Sequence, residues 1–518
     1  MPAKRLAALL LGLLAMAAPG ALPAQAERPQ GLALAPLGRP LRAHAAVAHG
    51  PSVSAALAAL LHSGAISEAV YRQDYAIYTA AKHSLGHLAG TRREELGAVL
   101  ANVQAIAAAG ELSASRAPAL FLTLQQNRHW WTEEPLLGAD DRVSFPPSKL
   151  IWEYYPGQGI EIQWLATFGE GNGYYDSGHE NANLRQLLAE IIPLASSRAG
   201  GIAWEYLFHF DGGVPPWTSG LSQGTALQLL SRAWSRLKEP ADLAAAQAAL
   251  GIFEHAPPQG VRVPTRAGAL YAEYTYAPGD RILNGFIQAL VGLYEYTAIT
   301  QDPLGLKLFE AGDAEARAEV PHYNTGHWSL YDQYGESNLN YHELLTEFLQ
   351  HLCERTRKGP PLTSAAAPAP APTTPATSTA PPAGGGESSP TGGTGPAAAV
   401  ADASRNAQIA GDQIYCSTAQ SFTEDLTTPP AVELLSRTLP GGARAGVEIS
   451  LSKISTVTLT VHRGSRTVWS VRATVPAGHP KLLWVTPTAG GSYSVTLTAS
   501  DLAGNFATAQ GTIQLSRH

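Results

Sequence analysis

Two groups of tyrosines hold most of the chemistry this chain could offer. The first is Tyr271, Tyr274 and Tyr276, with Glu273 among them, in YAEYTYAPGD. The second is Tyr323, Tyr331, Tyr334 and Tyr341, in HYNTGHWSLYDQYGESNLNYHELL. A phenol can give or take a proton from the end of a rigid arm, but its ordinary pKa is about 10, so a phenolic base needs help from its neighbours. A lone tyrosine is usually a half-buried packing residue. Here the grouping, the adjacent carboxylate and the helix start that follows point instead to proton transfer in a cleft that takes a sugar. Carboxylate pairs for glycoside hydrolysis are available among Glu153, Glu161, Asp211 and Glu273, and the sequence does not give their separation. HExxH, a P-loop and a helix-opening GxGxxG are absent, which removes the common zinc-peptidase and nucleotide-binding readings. The histidines are scattered, so neither a metal nor a cofactor is expected.

These side chains need helices to position them. From Asn284, Phe286, Ala289, Leu290 and Leu293 form one apolar stripe, so a helix starts just after the Pro278-Gly279 turn. Helical periodicity also covers Ser52 to about Gln126, a segment near Ile160 to Phe168, residues 184 to 198, SQGTALQLLSRAWSRL, residues 240 to 254, and a helix from near Asn340. Gly159-Ile-Glu-Ile-Gln-Trp-Leu, Gly224-Thr-Ala-Leu-Gln-Leu-Leu and Gly285-Phe-Ile-Gln-Ala-Leu-Val recur at roughly sixty residues, enough for one helical hairpin plus its loops. Such hairpins close into an (α/α) toroid or barrel, and the loops before its inner helices would line one cleft.

The 518 residues exceed one core. Charged residues are 15% and the net charge is −7, so no global basic field attracts nucleic acid or a densely sulfated polymer. Lys4 and Arg5, the run LAALLLGLLAMAA and the Ala24-Gln25-Ala26 pattern read as a secretory signal peptide over 1–26. No later segment is apolar enough to span a membrane. An N-terminal helical region is expected over 43–140, a catalytic domain over 141–358, a Pro/Thr/Ala and Gly linker over 359–408, and an immunoglobulin-like β-sandwich over 409–518. Cys353 and Cys416 could pair once in an oxidising compartment, while the apolar stripe around Cys353 equally suits a buried free thiol.

Several ordered motifs resemble the C-terminal catalytic domain of the D-glucuronyl C5-epimerase family. They are Glu273-Tyr274, Leu283-Asn284-Gly285-Phe286, Gly292-Leu293-Tyr294, Tyr323-Asn324-Thr325-Gly326, Leu330-Tyr331-Asp332 and Tyr341-His342. Upstream, Trp217-Thr218-Ser219-Gly220-Leu221-Ser222-Gln223-Gly224 resembles the family's Trp-Tyr-Ser-x-x-x-Gln-Gly segment. The resemblance runs from about Tyr154 to Glu354. Tyr334 stands where eukaryotic members carry an arginine, and Thr218 where the family has tyrosine. Arg281 and His327 are the nearest substitutes for the missing cation, and helices before Gln126 replace the eukaryotic N-terminal β region.

The resemblance implies an isomerase that converts D-glucuronate to L-iduronate in a polysaccharide. The leader and the β region make it an exported, bacterial-type member with an added Ig-like domain, and the low basic content favours a polymer with few or no sulfates. Tyr274 and Tyr341 would move the proton, assisted by Tyr331 and Glu273. Trp217, Gln223, Asn284, Arg281 and His342 would bind substrate. A polysaccharide lyase begins with the same C5 proton abstraction and stands as the alternative enzyme. A non-catalytic carbohydrate-binding or cell-wall protein, touching the wall through the β domain, is the alternative outside enzymology.

Overall fold

The computed structural model describes residues 50–361 and 413–516. The signal-peptide reading over 1–26, the leader after it and most of the Pro/Gly-rich linker lie outside the described residues. The first described part is helical with short hairpins, and the chain ends in a β-rich region. No helix among the described residues is long and apolar enough to cross a membrane.

Helices α1 (Val53–His62), α2 (Glu68–His87), α3 (Gly90–Ala108) and α4 (Ala117–Glu133) come first. Ser52 and Ser67 cap the first two, each side-chain oxygen accepting an orphan backbone N–H. α4 runs past Gln126 through His129, Trp130 and Trp131. A three-stranded antiparallel sheet follows: β1 (Arg142–Val143), β2 (Trp152–Tyr155) and β3 (Gly159–Ile162).

The rest of the helical part alternates long helices with loops and small hairpins. The helices are α5 (Trp164–Ser177), α6 (Asn181–Ile191), α7 (Gly220–Leu237), α8 (Pro240–Ala249), α9 (Leu283–Thr300), α10 (Pro303–Glu319) and α11 (Leu339–Thr356). Hairpins β4 (Ser196–Arg198) with β5 (Gly201–Ala203), and β6 (Arg262–Pro264) with β7 (Ala269–Tyr271), precede α7 and α9. Helices α5, α7, α9 and α11 pack in sequence, each against the next. The α7–α9 contact is close because both helices present glycine. A Cβ on Gly224 would overlap Ala289, and one on Gly292 would overlap the Gly224 backbone.

The repeat is therefore present, with one change to its opening. Gly159–Ile162 forms strand β3, not the start of a helix, and the helix begins at Trp164. All four strand residues are buried. Gly159 takes φ +85°, and the Asn127 amide grips Ile160 through both its N–H and its C=O. Tertiary burial on both faces has overridden the helical period here. Similarly, the 184–198 stretch divides into α6, a 3₁₀ turn and β4.

A second difference concerns the chain after the linker. Residues 413–425 are helical (α12), and the first strand of the β region begins at Val432. Tyr415, Ala419 and Phe422 of α12 are buried in the helical core, not the β core. Cys416 is disulfide-bonded to Cys353 of α11, which settles the pairing left open by the sequence.

The β region has strands β8 (Val432–Leu434), β9 (Thr438–Pro440), β10 (Arg444–Leu451), β11 (Ser455–Arg463), β12 (Arg466–Val475), β13 (Lys481–Val485), β14 (Gly491–Asp501) and β15 (Phe506–Ser516). One sheet runs β13-β10-β8 and the other β12-β11-β14-β15-β9. Inward residues alternate along each strand, as period-two burial requires. Val447, Ile449 and Trp484 of one sheet share a core with Val457, Leu459, Leu497 and Ile513 of the other.

Candidate active site

Loops that lead into α5, α7, α9 and α11 bring aromatic and acidic side chains together at the start of these helices. Glu273 lies at the centre. Residues 218–220 pair with 272–275: Thr275 N–H donates to the Thr218 carbonyl, and Gly220 N–H reaches Ala272 and Glu273 carbonyls. Ser219 caps α7 by accepting Ser222 N–H, and its hydroxyl faces Glu273 Oε1 at 3.4 Å. Glu273 Oε2 is buried without a hydrogen-bond partner. It lies against Gly285, where any Cβ would overlap it. The Asn-Gly-Phe motif thereby acquires a physical reason: glycine makes room for the carboxylate. Burial pushes the Glu273 carboxyl up to about 8, and the Ser219 hydrogen bond offsets only part of that rise.

The phenols surround this carboxyl. Tyr274 stacks on Tyr276, with ring centroids 5.2 Å apart, and meets Trp217 edge-on at 5.8 Å. Asn338 caps α11 by accepting Tyr341 N–H at 2.9 Å, which fixes Tyr341 on the first turn. Its ring lies 4.7 Å from that of Tyr331, and the two phenols share a hydrogen bond. Burial raises Tyr274, Tyr331 and Tyr341, and the charge of Glu273 raises each of them further. Tyr274, Tyr331 and Tyr341 are half-buried, so the group opens toward solvent while Glu273 sits beneath it. The four residues proposed for proton transfer come from two distant loops and one helix start, and they meet.

The proposed substrate-binding residues divide differently. Trp217 joins the aromatic cluster, stacking on Tyr206 at 4.3 Å. Gln223 is fully buried and clamps both backbone groups of Trp204. The Asn284 side chain accepts Gly285 N–H at 2.8 Å. The guanidinium of Arg281 pairs with Glu315 and Glu319 of α10. His342 is fully buried, stacked 3.7 Å from Trp328 and hydrogen-bonded to Ser329 and to the Phe422 carbonyl. Tyr334 is 75% exposed, outside the cluster.

The sequence reading did not single out Tyr155, Tyr206 or Phe210. Tyr206 hydrogen-bonds Ser222, and the charges of Glu273 and Glu153 both act on it. Tyr155 packs on Phe208, at 4.7 Å, and on Phe210. Glu153 and Glu161 face each other across β2 and β3, and burial raises both. The available signal was the density of aromatics before each helix of the repeat. A surface cavity of about 520 Å³ beside Trp130 and Phe145 shares no residue with the phenol cluster. Its carboxylates, Glu134 and Glu190, oppose an anionic sugar there.

Residues 199–363 match the family model described as D-glucuronyl C5-epimerase C-terminus. Within this stretch lie Glu273, Tyr274, Tyr331 and Tyr341. The chain is 30% identical over 131 residues to D-glucuronyl C5-epimerase of Caenorhabditis elegans, an alignment covering 23% of this chain and 21% of that relative. Through this region the chain is similar to the C-terminal part of D-glucuronyl C5-epimerases. It spans about a fifth of the length of the curated relative it matches.

Proposed function

We propose that the protein epimerises D-glucuronate residues of a polysaccharide to L-iduronate at C5. The observation that carries this reading is the meeting of Glu273, Tyr274, Tyr331 and Tyr341 in one half-open cluster. The reaction removes hydrogen from C5, next to a carboxylate, and returns a proton to the opposite face. It needs an acid/base group on each face and donors for the enolate-like charge. The phenols stay protonated, so they serve as donors to the developing oxyanion and as the acid that returns the proton. Glu273 changes its proton near neutral pH and accepts the C5 proton, directly or through Tyr274. Tyr331 and Tyr341 supply the other face. Tyr155 and Phe210, both half-buried, offer rings against which sugar faces stack, and buried Trp217 backs them.

The successive packing of α5, α7, α9 and α11 supports an (α/α) toroid, and the two sheets with one core support an Ig-like sandwich. Export is part of the same proposal. It is supported by the sequence of residues 1–26 and by the Cys353–Cys416 disulfide, a bond that persists in oxidising compartments. The deciding experiment is solvent deuterium incorporation at C5 across a panel of glucuronate polymers. Incorporation with iduronate formed and chain length unchanged is expected. Unsaturated uronate with falling chain length would assign a lyase, and binding without any exchange would leave a carbohydrate-binding protein.

A further inference from the structure

His342 and the helix beyond the linker bear on the same site in a way the family motifs do not show. Ser329 N–H approaches His342 Nδ1 at 3.2 Å, and Ser329 Oγ lies 2.8 Å from the same nitrogen. A backbone N–H can only donate, so Nδ1 is the acceptor and the ring hydrogen sits on Nε2. Nε2 then donates to the Phe422 carbonyl at 3.0 Å. Burial lowers His342 to about 4, which keeps this neutral tautomer at working pH. One imidazole therefore ties together three elements. Ser329 is two residues before Tyr331, His342 directly follows Tyr341, and Phe422 belongs to α12.

The ring is held on its faces as well. Trp328 stacks on it at 3.7 Å with planes 8° apart, and Trp328 Nε1 donates to the Ser337 carbonyl. α12 is fixed to the helical part independently. Cys416 bonds Cys353, Gln350 donates to Thr423 Oγ1 at 3.1 Å, and Tyr415 donates to Asp313 at 2.8 Å. The carbonyl that His342 needs thus comes from a helix anchored at several points.

We infer that His342 is a positioning residue for the Tyr331–Tyr341 pair, and that α12, from beyond residues 362–412, is the part of the chain that completes this positioning. The inference rests on the proton-transfer reading of those two phenols. His342 touches no reacting atom. It sets the spacing between the Tyr331 loop and the Tyr341 helix, which a proton relay through two phenols needs to within a fraction of an ångström.

The test uses the full chain with His342→Leu, His342→Asn and the milder Ser329→Ala, read by C5 exchange kinetics and by hydrogen-exchange mass spectrometry. His342→Leu should lower kcat at least about tenfold with KM little changed, since misplacement costs rate and not binding. His342→Asn keeps an acceptor toward Ser329 and should recover part of the loss. In His342→Leu, backbone protection should fall together in residues 329–341 and 413–425. Ser329→Ala should show the same kinetic split at smaller size, and it decides the matter if the leucine variant does not fold. Parental kcat in a folded variant, equal losses for Leu and Asn, or unchanged protection would overturn the inference. If the parent itself exchanges no C5 hydrogen, the function reading fails instead, and the protection pattern still judges His342.

Discussion

Two buried carboxylates of the helical part have opposite surroundings. Glu205 accepts from Arg116 at 2.6 and 2.9 Å and from Arg198 at 2.6 Å. Burial pushes its carboxyl up, yet the two guanidiniums pull harder, and it stays below the usual carboxylate range. Glu273 is as buried, but only burial and one serine hydroxyl act on it, and it rises to about 8. The first arrangement is a fixed charge that joins α4 to the β4–β5 hairpin. The second is a group free to change its proton. A buried carboxylate in this molecule is read by its partners, since depth alone is the same in both.

The largest effect that sharpens this contrast is expected from Glu273→Gln. It should lower C5 exchange by about two to four orders of magnitude, the scale of a lost acid/base group, with thermal stability kept or improved. Tyr341→Phe should fall in the same range while leaving its ring packing intact. Parental exchange rates in both variants would reduce the cluster to packing. In the parent, kcat/KM should rise with pH and level near pH 8, as a base must be deprotonated; the gain would be about tenfold per unit below that point.

Arg116→Met attacks the other carboxylate. It leaves Glu205 underpaired in the core and should cost about 3 to 5 kcal/mol in denaturant unfolding, with exchange by the folded fraction unchanged. A neutral outcome would mean Arg198 alone suffices.

Stability against pH separates the two groups further. Glu273 is raised above its unfolded value of about 4.3, so the folded state holds an extra proton between roughly pH 4.5 and 8. Its contribution is full below that window and is lost as pH rises through it, on the order of a few kcal/mol. Glu205 is depressed, so its contribution is present above the unfolded value and is lost as pH falls through the folded one. Comparing the parent with Glu273→Gln between pH 5 and 8 checks this: the variant should lack the downward slope.

The smallest effect is expected at Arg281. Arg281 and Glu319 are partly solvated and buried Glu315 keeps the Thr265 hydroxyl, so Arg281→Met should cost about 1 to 2 kcal/mol. A large rise in KM would show instead that Arg281 leaves its carboxylates to hold the uronate.

The motifs around Glu273, Tyr274, Tyr331 and Tyr341 were legible because glycine, asparagine caps and aromatics sit at fixed offsets from helix starts. The four helices of the repeat were legible from their stripes. Strand β3 was not, since a short, wholly buried run looks alike in a helix and a strand. The Arg116–Glu205 pair joins residues 89 apart in sequence, and nothing local marks it. Helix α12 was missed because its serines and threonines disguise the stripe of Tyr415, Ala419 and Phe422. A boundary drawn after Lys358 therefore removes a helix that packs in the same core as α11.

That clasp changes what the intervening chain can do. Cys353 and Cys416 are separated by 63 in sequence, but their Cα atoms stand 5.1 Å apart. The stretch between them is a ring closed on itself, not a leash between two bodies. The only tether of the β region is 426–431, about six residues, which spans roughly 20 Å at full extension. Lys453 shortens even this by holding the carbonyls of Asp425 and Thr428. A protease that cuts the ring yields a two-chain molecule of nearly the same mass, and only a reductant would break the last covalent link between the halves.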